Sequence, residues 1–124
     1  MAAAVACVLA VPAACGGSAG SKSLSPEAEE GQRIARRAGC AACHGSEGQG
    51  GIGPAWNDAL GSEVQLADGT TVVVDEEYLA RSITDPSVQL RAGFDVTMPT
   101  NELTDDEVAA IVAYIVELNA RGSD

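Results

Sequence analysis

The chain has 124 residues, enough for one compact domain, and its 46% hydrophobic content includes only 3% aromatics, so Ala, Val, Leu and Ile must build most of the core. The net charge of −11 comes from 18 acids against 7 bases, and residues 51–124 hold 14 of those acids against 3 bases. Such a surface argues against a nucleic-acid partner; it either keeps the protein soluble or steers it toward a basic patch on another protein.

Residues 2–15, AAAVACVLAVPAAC, are uncharged and nearly all apolar. They fall short of the ~20 residues that span a bilayer, and Pro12 interrupts them. Residues 1–14 therefore read as a signal peptide, although no Lys or Arg precedes Lys22. The stretch from Val11 to Ser18 resembles a bacterial lipoprotein cleavage site, in which the first cysteine after cleavage, here Cys15, receives a diacylglyceryl group. An ordinary cleaved signal with an incidental cysteine is the alternative. A lipid on Cys15 implies an exported protein held at the outer face of the cytoplasmic membrane or in the periplasm. Residues 15–25 read as a Gly- and Ser-rich tether with a reach of about 16–19 Å. The cysteines, at 7, 15, 40 and 43, do not form a disulfide framework, and with a single histidine in the chain a structural zinc site lacks ligands.

Ser25-Pro26-Glu27 predicts a helix start, and the helix runs to Ala38 before Gly39. Residues 45–54, GSEGQGGIGP, form a loop. Val64–Leu66 and Thr71–Val74 predict a hairpin turning at Asp68-Gly69. Asp75 caps a short helix from Glu76 to about Thr84, stopped by Asp85-Pro86. Residues 86–101 lack periodicity. Thr104-Asp105-Asp106-Glu107 is a capping box, and the helix after it places Val108, Ile111, Val112, Ile115 and Leu118 on one face and ends near Asn119. Residues 121–124 form a tail.

Cys40-Ala41-Ala42-Cys43-His44 carries the chemistry. Cys-x-x-Cys-His reads as c-type haem attachment: thiols three apart meet the two vinyl groups of a porphyrin, and the adjacent histidine lies under the iron. A thioredoxin-like dithiol expects a βαβ setting, whereas here a helix precedes the motif and a glycine-rich loop follows. Of the two methionines, Met1 is in the leader, so Met98 remains as the second axial ligand, 54 residues after His44. Pro99 biases it toward an extended backbone, and His/Met ligation is the pairing cytochromes c use for electron transfer.

Cys40–His44, then Gly51-Ile52-Gly53-Pro54, then Met98-Pro99, then a terminal amphipathic helix occur in the order of the class I cytochromes c, and over about residues 26–120 the chain resembles that family. The resemblance implies an all-α cytochrome c fold: three main helices around one covalent haem c, with long loops and a small β-hairpin insertion. It implies that the Pro54 carbonyl accepts a hydrogen bond from the free ring nitrogen of His44. It also implies that the first and last helices cross, with Ile34 meeting Ile111, Tyr114 and Ile115. Gly31 then either lets the backbones approach or is a tolerated helix glycine.

Trp56 either donates its N–H to a haem propionate or packs the haem edge. Tyr78 and Arg81 are further propionate contacts, or else a core tyrosine and a solvated arginine. Arg33, Arg36 and Arg37 are a small basic patch or a solvated helix face. Residues 63–100 are also similar to the cytochrome c domain fused to subunit II of haem-copper oxidases, without that subunit's paired membrane helices or copper-binding domain. The function implied is that of a monomeric single-electron carrier, not an enzyme, serving redox proteins of a respiratory chain, a terminal oxidase or its donor. The alternative is a haem enzyme or sensor in which a labile Met98 opens the iron, although no second histidine exists to act as a distal acid or base.

Overall fold

A computed structural model describes residues 23–122. The expectations for the leader, the lipidated Cys15 and most of the tether lie outside the described residues. Helix α1 (Pro26–Arg37) begins where Ser25 turns extended and its hydroxyl accepts the Ala28 N–H at 3.2 Å. Pro26 fills the first helical position, Glu27 and Glu29 sit in the first turn, and Arg36 and Arg37 sit in the last. Ala38 caps the helix, and Gly39, at φ +80°, redirects the chain into α2 (Ala41–His44), a four-residue turn too short to leave a periodic signal in the sequence.

The hairpin is β1 (Glu63–Gln65) and β2 (Thr71–Val73), paired antiparallel with Val64 opposite Val72. Gly69 takes φ +88° in its turn. Asp68 accepts the Thr70 N–H at 2.9 Å and hydroxyl at 2.6 Å, and these bonds hold its carboxyl below the usual carboxylate range. A bridge between Leu66 and Arg91 stitches the later loop onto the hairpin. Helix α3 (Glu76–Thr84) is capped by the Asp75 carboxylate, which accepts the Tyr78 N–H at 2.7 Å.

Helix α4 (Asp105–Gly122) opens with a reciprocal capping box: Glu107 N–H donates to the Thr104 hydroxyl at 3.3 Å, and Thr104 N–H donates to the Glu107 carboxylate at 2.9 Å. It runs past Asn119, and Leu118 is only half-buried while Ala110 and Tyr114 join the buried face.

Helix α1 packs against α4 more extensively than any other pair of elements. Gly31 is required there: a Cβ would collide with the Ala110 carbonyl oxygen and lie 2.9 Å from the Ile111 nitrogen. Ile34, Val74, Ile111 and Ile115 are almost fully buried, so aliphatic side chains do make the core. The arginines of α1 are not a free basic patch. Arg33 pairs with Glu30, Arg37 with Glu107 at 2.6 Å, and Arg36 faces Glu47 at 3.8 Å. The last two partners come from distant segments, which the sequence alone does not bring into view.

Candidate functional site

The glycine at 39 sets up α2, and α2 sets up the site. Cys40 and Cys43, three residues apart, lie on one side of this turn, and both thiols are free and half-buried. Burial pushes the Cys40 thiol up, and the neighbouring Cys43 adds in the same direction, so Cys40 stays a protonated, slow-reacting thiol.

His44 is 8% exposed. Its Nδ1 lies 2.7 Å from the Pro54 carbonyl oxygen. A carbonyl only accepts, so Nδ1 carries the proton and Nε2 keeps its lone pair. Burial pushes the imidazole below its ordinary value while the Pro54 carbonyl acts the other way, and the ring is neutral at pH 7. The glycine-rich loop lies tight against α2: Gly53 N–H donates to the Cys43 carbonyl at 3.0 Å, and a Cβ on Gly53 would sit 3.2 Å from His44 Cε1.

Trp56 stacks on the imidazole, ring centres 4.7 Å apart and planes 23° from parallel, and meets Tyr114 edge-on at 6.3 Å. Its backbone is held at both ends. The N–H donates to the Gly48 carbonyl at 2.8 Å, and the carbonyl accepts from Asn119 Nδ2 at 2.8 Å. The Asn119 side-chain oxygen accepts the Leu60 N–H at 2.9 Å. Asn119 is buried within α4, where the sequence suggests only the end of a helix; its signal as a site residue is an amide one helical turn after Ile115, on a face otherwise apolar.

These residues border one cavity of about 300 Å³, at the small end of ligand sites. Cys40, Cys43 and His44 line it from α2, Pro54 and Trp56 from the following loop, and half-buried Met98 from the 86–101 loop. Its apolar lining includes Val74, Leu79, Ile83, Ile111 and Ile115. Exposed Ile52 and Val96 edge its mouth. Tyr78 lines the cavity too, but Arg81 belongs to a separate shallow groove with Asp75 and Glu77. The charged side chain the cavity does have, among the described residues, is Arg91, its guanidinium 5.7 Å above the Phe94 ring. Its place depends on the bridge to Leu66 and is invisible to local pattern.

Among the described residues no three His, Cys, Asp or Glu side chains gather closely enough to share a metal ion, so Cys40, Cys43 and His44 do not converge as zinc ligands would. The donor set on this apolar cleft is two free thiols, one neutral imidazole with a free Nε2 and one thioether. It suits a flat apolar macrocycle with two thiol-reactive arms and a central metal.

No curated protein matches the chain. The family model described as Cytochrome c matches residues 28–119, which take in every side chain just described; with α1, the Cys-x-x-Cys-His turn, the cavity and α4 in place, the chain belongs to the cytochrome c family and carries covalently bound haem c.

Proposed function

We propose that the protein is a single-electron carrier in which Cys40 and Cys43 hold the haem covalently while His44 and Met98 take the two axial positions of its iron. The observation that carries this reading is that an imidazole with its Nδ1 committed to Pro54 and a loop thioether border the same apolar cavity as the two thiols. The haem supplies the one-electron couple. The chain supplies the rest: the thiols anchor, the Pro54 carbonyl makes His44 a more basic ligand, and Met98 biases the iron toward the reduced state. The aliphatic wall keeps water from the site. Ile52 and Val96 at the mouth offer an apolar contact to a redox partner, and the acidic remainder of the surface favours a partner with a basic rim.

The similarity of residues 63–100 to the domain fused to oxidase subunit II supports service to a terminal oxidase or its donor in a respiratory chain. The Val11–Ser18 stretch supports a lipid anchor on Cys15 and a place at the outer face of the cytoplasmic membrane, where a monomeric domain on a short tether meets its partners.

The test is an absorption spectrum of protein matured with haem attachment, oxidised and reduced. A covalent low-spin spectrum with the weak far-red Met–iron band in the oxidised form is expected. Met98→Ala should abolish that band, give high-spin ferric iron and lower the potential; a variant spectrum identical to the parent removes Met98 from the iron.

A further inference from the structure

We infer that Trp56 is a positioning residue for the axial histidine: its indole, stacked on the imidazole, backed edge-on by Tyr114 and carried on a backbone that Asn119 holds, sets the rotation of that ring about the bond formed through Nε2. The inference rests on His44 being the axial ligand, as proposed above.

The Pro54 hydrogen bond settles which nitrogen is free but restrains rotation weakly. Carbonyl acceptors tolerate a broad range of approach angles, and the terminal torsion of a histidine has broad wells. A flat partner 4.7 Å away and 23° from parallel removes that freedom, because turning the imidazole drives its edge into the indole.

The indole cannot follow the ring. Its backbone N–H is bonded to Gly48 and its carbonyl to Asn119, while Tyr114 stands edge-on against it. Gly48 is itself closed against it, since a Cβ there would lie 3.2 Å from Trp56 Cβ. Asn119 bonds at once to Trp56, Leu60 and the Ile115 carbonyl of its own helix, so the loop and α4 move as one body. The imidazole plane is thereby referred to the rigid terminal helix. That plane decides which iron orbitals the ligand's π system overlaps, and outer contacts of this kind orient first-contact ligands in metal sites generally.

Two measurements on the haem-loaded protein test this. In the reduced, diamagnetic wild type, nuclear Overhauser effects should join the indole ring protons of Trp56 to the imidazole protons of His44; their absence overturns the inference without any variant having to fold. In the oxidised protein, the order of the hyperfine-shifted haem-methyl resonances reports the imidazole plane. Trp56→Phe, which keeps a flat face, should retain the wild-type order, whereas Trp56→Leu should reorder or broaden it. A structural role alone lowers thermal stability in both variants and leaves both orders unchanged, and that result overturns the inference, as does equal reordering in both. If His44 is not the ligand, the wild type itself shows no imidazole-ligated low-spin spectrum while the Overhauser contacts persist, so the two failures are told apart.

Discussion

At the scale of single residues the site is made by what is left out as much as by what is present. Gly53 has no Cβ where one would press on the His44 ring, and Gly31 has none where one would strike α4. Gly31→Ala sets two effects against each other. Alanine in a helix is favoured over glycine by up to ~1 kcal/mol, but forcing atoms into a filled contact costs about 1–3 kcal/mol, and here the obstacle is backbone rather than a pliable side chain. The clash wins. The variant should unfold at lower denaturant with an unchanged slope; equal or greater stability would show that the helices sit further apart than described.

Elements were legible in the sequence wherever their ends are set within four residues. Ser25-Pro26, Asp75 and the Thr104–Glu107 box each cap the helix they announced, and Asp68-Gly69 turns the hairpin it announced. The parts that were not legible depend on distant partners. Arg91 reaches the cavity because its loop bridges to Leu66, Arg36 and Arg37 meet carboxylates from other segments, and Asn119 is recognisable only once Trp56 and Leu60 lie beside it.

The α4 cap also carries a pH signature. The Thr104 N–H, then Arg37, hold the Glu107 carboxyl below its ordinary value of 4.5. A carboxylate lowered in the folded state stabilises above its unfolded value, and the effect fades as pH falls through the folded one. Glu107→Gln keeps the box but not the charge, so its thermal midpoint should lie below wild type at pH 7, and the gap should close progressively as the pH is taken below 4.5. A constant gap across that range would assign the effect to packing.

At the scale of the molecule, the haem site and the core are one object. Val74, Leu79, Ile83, Ile111 and Ile115 belong to the buried cluster and also line the cavity. Without a group between them, these side chains lose their contacts on one face, and a domain with so few aromatics has no other mass to close the gap. The double variant Cys40→Ala, Cys43→Ala, prepared without haem, should therefore keep part of its far-ultraviolet helical signal, lose near-ultraviolet dichroism and unfold over a broad range. A transition as sharp as that of the haem-loaded protein would show a self-sufficient core.

The bond from Asn119 to the loop behind His44 also governs timing. Synthesis runs from the amino end, so the residue that clamps this loop is made 75 positions after His44, and α1 must wait for α4 as well. Until then nothing shuts around positions 40 and 43. The chain thus keeps its two sulfurs within reach of the attachment chemistry until α4 has been made, and only then closes over them.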